Sequence, residues 1–190
     1  MVRRFLILGL IFWVAGCGAR LPQTELSSFK EAKHPCRVAV LPFTNETKHY
    51  RLGRLVYRIF LTQLTNSKDF EVIEEGQIRS FLRLQRCLVG QEPPPRVLRM
   101  LGARLEVDAI IGGTVLAAGE GQEGVFLSFM VWAKDATSGK LLWNTYHSRT
   151  GEEYLKVFHF GRVTTFTRLA KMMVQEVVRD WEKRGLGGCR

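Results

Sequence analysis

Hydrophobic positions along this chain recur with two different spacings, and the switches between them mark out its elements. From Arg37 to Phe43 the residues are mostly apolar and Pro42 closes the run, the pattern of a strand covered on both faces of a sheet. Thr44 to Thr47 is turn chemistry. From Arg51 the period lengthens: Leu52, Leu55, Val56, Ile59, Phe60 and Leu64 share one helical face, and Asn66, Ser67 and Lys68 break it. A second short strand is expected at Phe70 to Ile73. A second helix runs through Ile78, Phe81 and Leu82 and ends near Cys87. The run from Glu92 to Pro95 opens a third helix, Val97 to Leu105, because proline is tolerated in a first turn. Three strands follow closely, about Val107 to Ala118, Val125 to Asp135 and Lys140 to Ser148, joined by glycine-containing connections of hairpin length. The last element has the cleanest period. Phe166, Leu169, Ala170, Met173, Val174, Val177, Val178 and Trp181 keep to one face of a helix that glycines from Gly185 onward stop.

The order is β-α-β-α-α-β-β-β-α. It predicts an α/β (α+β) fold: a mixed five-stranded sheet with an antiparallel C-terminal meander and helices packed on it. The strands between 107 and 135 are apolar on both faces, as core strands are. Trp132 and Trp143 fall where they face each other across the second hairpin, with core or cross-strand packing as the plain reading.

The segment before the first strand changes the picture. Arg3 and Arg4 precede an apolar run from Phe5 to Val14, and Val14, Ala15 and Gly16 stand directly before Cys17. A charged start, an apolar stretch and small residues form an export signal. The apolar run is too short for a spanning helix, which needs roughly 20 residues. With cysteine at once after it, the segment resembles a bacterial lipoprotein signal whose lipobox is Val14 to Cys17. The resemblance implies that residues 1–16 are removed and that Cys17 becomes the lipidated first residue. Gly18 follows, not the aspartate that resembles an inner-membrane retention signal, so the implied place is the periplasmic face of the outer membrane. Residues 18–35 are polar and contain Pro22 and Pro35, and read as a flexible tether spanning about 25 Å on average. The expected organisation is a signal peptide at 1–16, lipidated Cys17 and tether to 35, a single periplasmic domain at 36–185, and a flexible tail at 186–190.

Composition then bounds the function. Of 190 residues, 46% are hydrophobic and 24% charged, an ordinary globular balance. The net charge of +10 would suggest nucleic acid in a cytosolic protein, but export puts nucleic acid out of reach. Anionic envelope material becomes the fitting match, with plain solubility as the alternative. Arg168, Lys171, Arg179, Lys183 and Arg184 give the last helix a basic outer side, a candidate partner surface together with the loop at 44–50. Besides Cys17 there are Cys36, Cys87 and Cys189. The oxidising periplasm permits one disulfide, and Cys36–Cys189 is the candidate pair, since the glycine-rich tail lets Cys189 reach the start of the first strand.

Catalytic motifs are weak. Gly119, Gly121 and Gly124 match a Gly-x-Gly-x-x-Gly pattern, but a strand follows where a dinucleotide site needs a helix N-terminus, and Glu120 and Glu123 repel phosphate. The segment reads as a hairpin loop. His34, His49, His147 and His159 are dispersed and form no metal-ligand pair, so no metal site is expected. No serine sits in a glycine-flanked nucleophile elbow. The expectation is a protein that is not an enzyme and uses no cofactor beyond the covalent lipid on Cys17.

Four stretches together resemble a known superfamily: Val38 to Asn45 entering an amphipathic helix, Phe70 to Ile73 before a helix, Leu101 to Thr114, and Asp135 to Trp143. The group holds the curli secretion channel lipoprotein CsgG, the penicillin-binding-protein activator LpoB and the amino-terminal domain of TolB. The match runs from about Arg37 to Lys183. It implies binding and assembly, not turnover, and transfers no catalytic residues. The implied function is a non-enzymatic, outer-membrane-anchored lipoprotein that binds and positions an unidentified envelope protein in assembly or secretion. The alternatives are a homo-oligomeric curli-type export channel subunit and an activator of a peptidoglycan synthase.

Overall fold

The computed structural model describes residues 21–27, 34–88, 90–121, 124–155 and 162–189. Its strands are β1 (Gln23–Leu26), β2 (Arg37–Val40), β3 (Thr44–Asn45), β4 (Glu71–Val72), β5 (Ala109–Gly121), β6 (Gly124–Asp135) and β7 (Leu141–Thr150). Its helices are α1 (Leu52–Thr65), α2 (Glu75–Leu84), α3 (Pro95–Leu105) and α4 (Phe166–Lys183), with a 3-10 turn at Glu152–Tyr154. The sheet order is β1-β7-β6-β5-β2-β4, and β3 pairs with β5 beyond the end of β2. Pairing among β2, β3, β4 and β5 is parallel, and β5 through β7 form the antiparallel meander. Gly121 opposes Gly124, so the glycine-rich segment is the turn of a hairpin.

Both faces of the central strands are covered, which explains their continuous apolar runs. On one face α1 and α4 bury Val56, Phe60, Leu64, Leu169, Met173 and Val177 against Val38, Val40, Ile111, Leu127, Phe129 and Val131. Trp181 lies at its centre, edge-on to Trp143 at 5.3 Å and to Phe60 at 5.5 Å between ring centroids. Such pairs contribute about 1 kcal/mol each beyond the area they bury. The indole Nε1 of Trp181 donates to Thr145 Oγ1 at 2.8 Å, which satisfies its polar edge. On the other face α2 and α3 pack Ile78, Leu82, Leu98 and Leu101 against Ala39, Leu41, Ile110 and Trp132. The Trp132 ring lies flat over Gly112, where any Cβ would collide with it.

Four expectations are corrected. The sheet has seven strands among the described residues, not five, because β1 and β3 were absent from the hydrophobic pattern. Thr44–Asn45 is not only a turn but a short strand on β5, with Thr44 Oγ1 and Thr114 Oγ1 2.7 Å apart. Trp132 and Trp143 do not face each other. Trp132 opposes Asn144 while Ala133 opposes Trp143, and one residue of offset puts the two indoles on opposite faces.

The fourth correction concerns the chain ends. Within the stretch read as a flexible tether, Gln23–Leu26 covers the open edge of β7. Thr24 Oγ1 donates to Asp180 Oδ2 at 2.6 Å, and Pro22 and Pro35 are buried. The edge strand is held by backbone pairing that an otherwise unpaired β7 supplies, with no apolar alternation of its own. The tail is likewise packed. Leu186 is buried, Gly188 N–H donates to the Pro35 carbonyl at 3.1 Å, and Cys189 N–H donates to the Asp69 carbonyl at 3.2 Å. A Cβ at Gly188 would strike the His34 carbonyl, so only glycine allows this approach. A disulfide joins Cys36 to Cys189, with the two Cα atoms 4.6 Å apart.

Candidate functional site

Arg168, Lys171, Arg179 and Lys183 are exposed on the outer side of α4. At 100° per residue their spacing confines them to an arc of about 120°, but the stripe is about 22 Å long. They line one face and do not converge on a point.

Beneath α4 lies a buried ionic cluster that no sequence motif marks. His147 Nε2 is 2.6 Å from Glu176 Oε2, Arg149 Nε donates to the same oxygen at 3.3 Å, and Arg149 Nη1 pairs with Glu153 Oε2 at 2.8 Å. His147 is 1% exposed and Arg149 5%. Burial alone would raise the Glu176 carboxyl, but the hydrogen bond from His147 and the charge of Arg149 outweigh it and hold the group below its ordinary range. Burial alone would lower the Arg149 guanidinium, and Glu153 and Glu176 reverse that too. The phenol of Tyr154, half-buried beside them, is pushed up by burial and by Glu176. With its ring engaged in the interior, His147 fastens α4 to β7. The cluster is structural.

A cleft of about 640 Å³ opens elsewhere, between the N-terminal half of α1, α2, the Leu41–Thr47 segment and residues leading to Pro93. Its floor is apolar: Leu41, Phe43, Tyr57 and Leu82 are buried there. Its rim carries Arg54 from α1 and Arg79 and Arg83 from α2, and among the described residues no aspartate or glutamate lines it. Arg79 pairs with Glu75 one helical turn away. Tyr57 is 1% exposed and its hydroxyl, buried under the lining, has no hydrogen-bond partner among the described residues. Burial, with Glu75 adding to it, pushes that phenol up. The loop at 44–50 forms one wall and is stiffened from within. Asn45 Oδ1 accepts from Thr47 N–H at 3.2 Å, and Asn45 Nδ2 donates to the His49 carbonyl at 2.9 Å. His49 packs on Phe166 at the start of α4, with 4.9 Å between centroids. Cys87, the free cysteine among the described residues, also lines the cleft.

Of the residues singled out from sequence, Cys17 lies outside the described residues. It precedes β1 by six positions, so an extended chain places it within about 20 Å of Gln23. The arginines of the cleft were missed because each sits on the polar side of its own helix, as a solvated residue does. Only the fold, which brings α1 and α2 from opposite faces of the sheet to the segment that follows β2, gathers them around one cleft.

No protein-family model and no curated protein matches the sequence. Solved structures do share its architecture. The PelC dodecamer from Paraburkholderia phytofirmans superposes with a TM-score of 0.51 at 15% identity, over 83% of this chain and 96% of that one. Lipoprotein GNA1162 from Neisseria meningitidis gives 0.52 at 18% identity, over 78% and 97%. The Chlamydia trachomatis protein CT253 gives 0.53 at 13% identity, over 79% and 98%. At such identities the likeness establishes the fold. The fold implied by the four sequence stretches is thus one built by a known bacterial lipoprotein.

Proposed function

We propose that this chain is a lipid-anchored envelope protein that works by contact: a lipoprotein whose folded part sits on the periplasmic face of the outer membrane and holds a partner protein there. The observation that carries the reading is the six-residue spacing from Cys17, at the end of a lipobox-like segment, to the edge strand β1. A sheet beginning so soon after an acylated cysteine is kept within about 20 Å of the lipid. Two features support it. The Cys36–Cys189 disulfide suits an oxidising compartment, and the fold is shared with a neisserial lipoprotein. The short leash argues against an activator that must reach across the glycan layer, and favours a partner that comes to the membrane. The test is fractionation with metabolic fatty-acid labelling. The native chain takes up label and sediments with outer membranes, whereas Cys17→Ser is unlabelled and soluble. A Cys17→Ser protein that stays membrane-bound overturns the reading.

Self-assembly is a second reading, favoured by one observation. On the α2/α3 side of the sheet, the part beyond those helices leaves Phe126 and Tyr146 exposed on neighbouring strands, and a protein of this fold, PelC, crystallised as a dodecamer. Light scattering of the purified protein decides it: a ring-sized mass supports assembly, and a monomer at high micromolar concentration ends it.

A further inference from the structure

We infer that the arginine-rimmed cleft is the docking site for an acidic peptide segment of the partner, one that carries a bulky apolar side chain beside its carboxylates. The inference rests on the contact function proposed above and supplies the chemistry of the partner.

Three observations on the cleft agree. Its rim holds three arginines, of which Arg79 is paired with Glu75, and among the described residues no acid lines it, in a chain that has 18 acidic residues to distribute. Arg54 and Arg83 meet no carboxylate among the described residues, so their planar donors are available for bidentate pairing. The floor beneath them is apolar, and at about 640 Å³ the cleft has the volume of an ordinary ligand site, far more than a bare anion fills. An apolar anchor with flanking carboxylates matches both surfaces, while a simple anion leaves the floor unfilled and a neutral apolar group leaves the rim unpaired. Tyr57 adds an independent sign. A buried hydroxyl without a partner is costly in a finished core, and this one lies at the floor of the cleft.

The sheet order decides between a peptide and the anchoring membrane. The cleft wall formed by the end of β2 lies four strands from β1, about 19 Å across the sheet at the usual strand spacing. The lipid on Cys17 would enter beside β1. The cleft therefore lies toward the opposite end of the sheet from the anchor, on the side that a periplasmic partner meets first.

The experiment measures fluorescence anisotropy with the mature chain carrying Cys17→Ser. The probe is a fluorescein-labelled hexapeptide of alternating aspartate and phenylalanine. Binding should weaken by about tenfold or more when the aspartates become asparagines, and likewise when the phenylalanines become alanines. The Arg54→Gln/Arg83→Gln pair should weaken it by at least about tenfold at an unchanged melting temperature, and Arg54→Glu/Arg83→Glu should weaken it further. Bound peptide should also slow alkylation of Cys87 by iodoacetamide. The inference is overturned if the probe does not bind at millimolar concentration, or if the amide and acid peptides bind alike. It is equally overturned if the arginine variants bind as well as the parent, or if inorganic phosphate or phosphatidylglycerol vesicles displace the peptide at matching concentration. None of these results touches the fatty-acid labelling of Cys17, so failure here and failure of the anchored-lipoprotein reading are told apart.

Discussion

Replacing Cys36 and Cys189 by serine, in a Cys87→Ala background that prevents thiol exchange, should destabilise the protein by about 3–5 kcal/mol. The disulfide closes a loop with a sequence separation of 153 residues, which spans β2 through α4 and so nearly the whole fold. Opening it returns to the unfolded chain the freedom that the cross-link removes. For a loop of this length the chain-entropy relation gives about 5 kcal/mol at 25 °C, an upper figure because unfolded chains retain structure. The native state loses less. Without the bond the tail is held by the Gly188 to Pro35 and Cys189 to Asp69 hydrogen bonds and by the burial of Leu186, and these fray together as a chain end does. For a chain of this size the loss corresponds to a fall in melting temperature on the order of 10 °C. The assay is equilibrium urea unfolding followed by tryptophan emission, since Trp132, Trp143 and Trp181 are all buried. The double variant should show a lower midpoint and a steeper slope, because its unfolded state is more expanded. A shift below about 1 kcal/mol, or a mature protein whose mass shows Cys36 and Cys189 as free thiols, would refute the reasoning.

Three further outcomes follow from the packing. Glu176→Gln should cost about 2 kcal/mol, since it leaves His147 and Arg149 buried without the carboxylate they share. Because Glu176 is held below its ordinary range when folded, its contribution is complete above about pH 4.3 and drains away as pH falls through the depressed value. The parent should therefore lose stability on acidification through that window with a slope that Glu176→Gln lacks, as read by urea midpoints from pH 6 down to 3. Thr145→Val should cost about 1–3 kcal/mol in the same assay, because it strands the Trp181 indole N–H in the core. Gly112→Ala should cost on the order of 3 kcal/mol by displacing Trp132, and near-ultraviolet circular dichroism should report the change in the indole's surroundings.

What was legible in the sequence, and what was not, divides along one line. α1, α4 and the β5–β7 meander each carry a period that comes from burying one face or two, and a period is visible in the residues alone. β1 carries no such period. Gln23, Thr24, Glu25 and Leu26 form a strand because β7 offers an unpaired edge and because Asp180, on a helix more than 150 residues later, accepts from Thr24. The tail is the same case, since glycines that look slack are the residues that let it pack against His34 and Asp69. The cleft was hidden for a related reason: Arg54, Arg79 and Arg83 read as solvated helix faces until the fold brings α1 and α2 to the segment after β2 from opposite faces of the sheet, and Tyr57 reads as core. This matters for function. A slack stretch from residue 18 to 35 extends to about 60 Å at most, whereas pinning Gln23 to β7 limits the six residues back to Cys17 to about 20 Å at most. The same residues thus change from a fishing line to a mooring. If Cys17 carries the lipid proposed above, a protein so moored selects partners that approach the membrane and offers them the end of the sheet far from β1, where the arginines stand.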